Sequence, residues 1–209
     1  MNVERAYGEA AKARRRNAII DAAEELLASS LELPTAAAIA ARVGLAKGTL
    51  FRYFETLEEL FTALLLERWC TALDELTRRI ENCHSTEQVV NEVLGSFVNL
   101  SEKQQWLMML DTMLPEFRRK LSDDWRREFE ETISSRMART GAFIEMAIGL
   151  DTGRGFTLLV RSQAFARGLW QSCNNDNSPF VAGASPLQPY PIELRRALVE
   201  YWRGALTES

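Results

Sequence analysis

Apolar residues recur at helical spacing along almost the whole chain. Residues 10–29 place Ile19, Ala23, Leu26 and Leu27 on one stripe and turn Asp21, Glu24 and Glu25 the other way, the pattern of an amphipathic helix. A short helix is expected after Pro34. Thr35 can cap it, Ala36 to Ala41 are strong helix formers, and Gly44 ends it where positive φ is needed. A second short helix is expected from Ala46 to about Tyr53. Thr56 to Glu59 then has the form of a capping box. Leu57, Leu60, Phe61, Leu64, Leu65, Ala72, Leu73, Leu76 and Ile80 continue one apolar face beyond it, so a helix of roughly 26 residues and ~39 Å is predicted. Further helices are predicted at 86–101, 103–113, 117–140, 153–173 and 191–206, with breaks at Gly141 and across Gly149 to Gly155. Four of the six prolines (Pro179, Pro186, Pro189 and Pro191) mark a long loop, opened by the turn formers Asn174 to Ser178. The expected fold class is all-α: three helices over residues 1–55 and a larger helical domain over 56–209.

The stretch from Thr35 to Leu60 is the most informative. Read physically it is helix, glycine turn, short helix. Ala38, Ile39 and Val43 can pack on Leu45 and Leu50, and Ala40 is small enough for the two backbones to approach. This is the arrangement of a helix-turn-helix, whose second helix enters the DNA major groove. A plain helical hairpin fits the same spacing.

Ile39-Ala40, Val43-Gly44-Leu45, Gly48-Thr49-Leu50-Phe51, Tyr53-Phe54 and Glu58-Glu59-Leu60 resemble the N-terminal signature of the TetR family, and Ile19-Ile20, Ala22-Ala23 and Leu26-Leu27 resemble its first helix. The resemblance covers about residues 12–65. It implies a dimeric, all-helical transcriptional regulator of about nine helices, three for DNA and six for ligand and dimerisation. Carried over by position, it implies DNA contacts at Thr35, Lys47, Gly48, Thr49, Phe51 and Tyr53, with Arg15 or Arg16 touching the backbone or minor groove. Two positions depart from the pattern. Ala46 stands where the family commonly has a capping Ser, and Leu57 where it commonly has a phosphate-reaching Lys.

The charge balance agrees with DNA binding through one end. The net charge is −4, but residues 1–54 carry eight basic and six acidic residues, and the remainder is acidic. The part beyond residue 55 holds Trp69, Trp106, Trp125, Trp170 and Trp202 together with most of the methionines. Such a lining can adapt to apolar ligands, although core packing explains the same spacing. Trp69, Trp106, Met109, Met113, Phe143 and Phe165 are the pocket candidates. Asp111 and Glu116 flank them and read as solvated surface, with a cationic ligand as the alternative. Phe156, Val160, Gln163, Arg167 and Trp170, with Leu194, Leu198, Tyr201, Trp202 and Ala205, are expected to form the dimer face.

Other chemistry finds little purchase. Cys70, Cys83 and Cys173 are too scattered for a disulfide framework, and His84 is the one histidine, so neither a metal site nor a histidine-based triad is expected. No phosphate loop, dinucleotide fingerprint or H-E-x-x-H occurs, and no cofactor is expected. With neither a signal-like start nor a long apolar run, the chain reads as soluble and cytoplasmic. The leading expectation is a homodimeric repressor released from double-stranded operator DNA by a small apolar effector. The alternative is a helical small-molecule-binding accessory protein with a weakened DNA-binding end, to which only Ala46 and Leu57 point. An all-helical enzyme lacks a visible catalytic group.

Overall fold

The computed structural model describes residues 3–174 and 189–207, with side chains from residue 8 onward. The long loop expected near 174–191 lies mainly outside the described residues. The elements are α1 (Val3–Ser30), α2 (Ala36–Arg42), α3 (Lys47–Leu50), α4 (Leu57–Ile80), α5 (Thr86–Lys103), α6 (Gln105–Arg118), α7 (Asp123–Ile148), α8 (Arg154–Cys173) and α9 (Tyr190–Thr207). No strand occurs among the described residues.

Local chemistry explains most of the boundaries. Thr35 accepts from the Ala38 N–H at 3.2 Å and caps α2. Gly44 sits at φ +67°, a backbone state that costs an L side chain more than glycine. Thr56 accepts from the Glu59 N–H at 3.0 Å, while the Glu59 carboxylate reaches back to the Glu55 N–H at 2.7 Å. Ser85 and Ser122 cap α5 and α7 in the same manner. Ala46 has no side-chain oxygen with which to cap α3, and α3 is four residues long rather than the eight expected.

Three expected breaks need correction. Helix α1 begins at Val3 rather than Ala10: residues 9–16 are nearly all good helix formers and no proline stops them. Helix α6 runs through Pro115 to Arg118 instead of ending at 113, so the Asp111 carbonyl is denied the N–H that residue 115 would otherwise give it. Helix α7 passes straight through Gly141. A Cβ on Gly141 would lie 2.4 Å from the Phe156 nitrogen, and one on Gly155 would lie 2.2 Å from the Gly141 oxygen. The pair therefore lets α7 and α8 meet backbone to backbone, and Gly141 breaks nothing. The true break follows at Gly149 and Gly153, both at positive φ.

Helix α4 is the hub. It packs on α1 at one end and on α5, α6 and α7 along its length, while α8 lies between α7 and α9. Ile19, Ile20, Ala23, Leu27, Ile39, Ala40, Leu50 and Phe54 close the core of the first three helices, and Leu60, Leu64 and Leu65 of α4 continue it into the larger part. Ala38, expected in the hairpin core, is exposed; Ala36, two residues back and on nearly the opposite side of the helix, is buried in its place.

Candidate DNA-binding face and effector-domain centre

The turn between α2 and α3 fixes what α3 shows to solvent. Leu50 is fully buried beneath it, anchored against Ile39 and Ala40. Lys47 and Gly48 are consequently exposed and Thr49 is half-buried. Among the described residues no carboxylate lies within ion-pairing distance of Lys47, whereas Arg42 is held by Glu25 at 2.6 Å. Phe51 is 39% exposed, more than core packing requires of a phenylalanine. Thr35 and Phe51 are exposed, and Tyr53 is half-buried with its ring packed on the core. Gly48 has open space above it. The six residues carried over from the family pattern thus share one end of the molecule. Five lie at its solvent face, and Tyr53 divides its area between face and core. Arg16 does not join them. Its guanidinium lies 4.8 Å above the Phe54 ring and bonds Glu67 at 3.3 Å, so it braces α1 against α4. Arg15 is the exposed arginine of the pair.

The larger part of the chain holds a buried polar centre that its sequence presents as surface. Asp111 is 3% exposed. Its Oδ2 accepts from Gln163 Nε2 at 2.7 Å, and the nearby Trp69 indole favours its charged form. Burial pushes the Asp111 carboxyl up to about 6, against the pull of Arg167 and these two side chains. Tyr190 closes the centre from α9. Its hydroxyl donates to the Ala166 carbonyl at 3.1 Å, its ring meets Trp170 edge-on at 5.1 Å, and burial, reinforced by the Asp111 charge, raises its pKa. Beside it, the fully buried Trp202 donates its indole N–H to Ser162 at 3.0 Å.

Of the six pocket candidates only Trp69 belongs to this centre. Trp106 is buried, and Met109 and Met113 are half-buried; at 100° per residue all three point away from the Asp111 side of α6. Phe143 is half-buried on α7. Phe165 is 41% exposed and packs on Tyr201, with ring centroids 5.2 Å apart. Asp111, Gln163, Arg167 and Tyr190 were missed as a group. One signal did exist: Asp111 is the sole charged residue between Gln105 and Leu114, and a single charge inside an apolar helical run is rarely a surface feature. Glu116, the other flanking acid, is exposed and bonds Arg119.

Residues 19–64 match the sequence profile described as bacterial regulatory proteins, tetR family. The helix-turn-helix is that of the TetR family. The overall fold agrees. A TetR transcriptional regulator from Rhodococcus sp. RHA1 superposes with a TM-score of 0.55 at 21% identity, over 88% of this chain and 94% of that one. The regulator FadR from Bacillus subtilis, determined in complex with stearoyl-CoA, gives 0.54 at 18% identity over 87% and 96%. The fatty acid degradation regulator FadR from Bacillus halodurans gives 0.57 at 16% identity over 88% and 94%. No curated protein sequence matches the chain. The molecule has the fold of a TetR-family transcriptional regulator, and no described helix is long and apolar enough to cross a membrane.

In this TetR-like frame, side-chain bonds tie α4 to both parts. Arg68 of α4 bonds Glu24 of α1, at 2.9 Å through Nε. Lys120, beyond α6, pairs with Glu58 at 2.6 Å, and Trp125 of α7 donates to Thr62 at 2.9 Å. The faces of α8 and α9 differ from expectation. Leu194, Leu198 and Trp202 have no exposure at all and Ala205 is also buried. Gln163 turns inward to Asp111, and Trp170 packs on Tyr190. Leu194, Leu198, Trp202 and Ala205 are thus covered by their own chain, while Gln163 and Trp170 stay half-buried. The solvent face of the pair is instead Val160, Ala164, Phe165 and Gly168 of α8, with Gly204 of α9 and the half-buried Tyr201 between them. The Tyr201 hydroxyl oxygen is shielded from solvent and has no hydrogen-bond partner among the described residues.

Proposed function

We propose that the protein is a ligand-responsive, DNA-binding transcriptional regulator: a homodimeric repressor that leaves its operator when a small, largely apolar molecule occupies the part of the chain beyond residue 55. The observation that carries the DNA half is the state of α3. Its one large apolar side chain, Leu50, is buried, and what remains outside is an unpaired lysine, an open glycine, a threonine and an exposed phenylalanine. Lys47 suits a phosphate or a guanine edge, Thr49 a phosphate or a thymine methyl, and Phe51 a methyl or a sugar. Residues 1–55 serve as the DNA-binding domain and residues 56–209 as the effector and dimerisation domain.

The dimer pairs the solvent faces of α8 and α9, so that each recognition helix meets one of two major grooves about 34 Å apart. Effector binding works through α4. Its first turns carry Leu60 and Phe61 in the core beneath the helix-turn-helix, and Trp69 lies two turns further on, beside Asp111. A tilt of α4 changes the separation of the two recognition helices, and both must fit at once. An effector that prefers the misfitting form by ~3 kcal/mol weakens operator binding by roughly 100-fold. The fold shared with a FadR determined with stearoyl-CoA supports an effector with a long apolar part. The test is a titration of labelled DNA from upstream of the protein's own gene, with unrelated DNA as competitor. Specific retention supports the reading; equal affinity for both DNAs rejects it and favours a small-molecule-binding accessory protein.

A further inference from the structure

The buried centre around Asp111 contains an electrostatic imbalance that the apolar-effector reading does not use. Asp111 is almost wholly out of water, yet among the described residues no cation lies within ion-pairing distance of it. Its neighbours are neutral: the Gln163 amide donates to it at 2.7 Å, and the Trp69 indole lies close by. Arg167, one turn beyond Gln163 on α8, attracts the carboxylate without reaching it and is half-exposed. A buried carboxylate without a counter-charge costs several kcal/mol relative to an apolar side chain of the same size. Its own helix offers no offset: Leu107, Met108 and Leu110 are all buried and apolar. By contrast, several carboxylates that face other helices have a cation at hand: Glu24 with Arg68, Asp74 with Arg136, Glu58 with Lys120.

From this cluster we infer that the effector carries a single cationic group, a protonated amine at one end of an apolar body, and that Asp111 is its counter-charge. This rests on the reading of residues 56–209 as the effector domain and narrows the class of molecule it takes. The amine replaces the Gln163 amide on Asp111 Oδ2, and Gln163 and Arg167 withdraw along α8 toward solvent. Trp69 and Tyr190 lie near Asp111, and Trp170 packs edge-on against Tyr190; aromatic rings so placed suit a cation near their faces. Because Trp69 lies on α4 and Gln163 on α8, the exchange acts on the helix that leads to the DNA-binding domain and on one that bears the dimer face. A carboxylate or an acyl-CoA placed there would set a second negative charge against Asp111, so the class proposed departs from the ligand of the B. subtilis FadR.

The test is calorimetric titration of the full-length protein, without DNA, with three matched probes: n-octylamine, n-octanol and octanoate, followed by stearoyl-CoA. Omitting DNA separates this inference from the regulatory reading, which fails or stands on operator affinity alone. At pH 7.5, where Asp111 is ionised, octylamine is expected to bind about tenfold more tightly than octanol, as a charge-assisted contact out of water outweighs a neutral one. Octanoate is expected to bind least well. Asp111→Asn removes the amine preference, and Gln163→Ala, which frees the carboxylate from its internal donor, enlarges it. If Asp111→Asn does not fold, the Gln163→Ala comparison decides alone. Equal binding of amine and alcohol overturns the inference, as does a preference for octanoate or stearoyl-CoA, an amine preference that persists in Asp111→Asn, one that Gln163→Ala leaves unchanged, or the absence of binding by all three octyl probes.

Discussion

At the scale of single residues, Lys47 and Asp111 have opposite histories. Lys47 was legible in the sequence because the residues around it form a known turn; the structure leaves it exposed and unpaired on α3. Lys47→Ala is expected to weaken operator binding and to lower the salt dependence by about one counterion, with the unfolding midpoint unchanged. Binding titrations at several salt concentrations check this, and an unaltered slope with unaltered affinity removes Lys47 from the interface. Tyr53 packs partly on the core, so Tyr53→Phe is the cleaner probe of its hydroxyl than truncation to alanine. Asp111 was hidden because helical periodicity gives the angle a side chain takes but not the number of helices that surround it. Burial pushes its carboxyl in the folded chain up to about 6, from an ordinary 3.8. As pH climbs, the unfolded chain therefore gives up this proton first. The folded state pays for ionisation only later, so stability falls as pH rises from about 4 to about 6, by about 3 kcal/mol from this group. Asp111→Asn lacks that loss and is expected to gain on the native protein between pH 4.5 and 7. Denaturant unfolding of both proteins across that range measures it; parallel profiles would contradict the burial argument.

Among the elements, the helices with clear caps and strong periodicity were placed well by the sequence. The capping box at Thr56 and the stripe from Leu57 to Ile80 gave α4 to within two residues. Failures came where one residue type serves two purposes. Glycine ends helices, but at Gly141 it allows a neighbouring backbone to approach, and only the fold shows that Gly155 waits opposite. Proline after Leu114 reads as a stop, yet α6 passes through it because surrounding helices hold the turn in place. Gly155→Ala should therefore destabilise the protein by about 1–3 kcal/mol through overpacking. Its added Cβ meets backbone that can yield only by parting α7 and α8. Urea unfolding checks the value, and a gain in stability would show that the two helices separate at no cost.

For the whole molecule, apolar spacing alone cannot separate a stripe buried by its own chain from one that a second copy would cover. Apolar spacing on α9 identified a buried stripe and could not say whether its own chain or a partner buries it; Leu194, Leu198 and Trp202 prove to be internal. The proposed dimer therefore pairs the exposed side of α8 and α9, where Gly168 and Gly204 leave space and the Tyr201 hydroxyl has no partner among the described residues. Ala164→Glu, placed in the middle of that face, is expected to yield monomers in sedimentation equilibrium at micromolar concentration while the unfolding of each chain stays cooperative. An unchanged dimer would move the interface elsewhere. It should also abolish tight operator binding, since one recognition helix holds one half-site alone. The claim on which everything rests is that exposed residues of α3 read DNA. The most direct measurement is fluorescence anisotropy of labelled upstream DNA titrated with native protein and with Lys47→Ala, at one salt concentration and with unrelated DNA as competitor. A saturable complex that survives the competitor and is about tenfold or more weaker for the variant is expected. Equal binding by the two proteins, or loss of the complex to competitor, would contradict it.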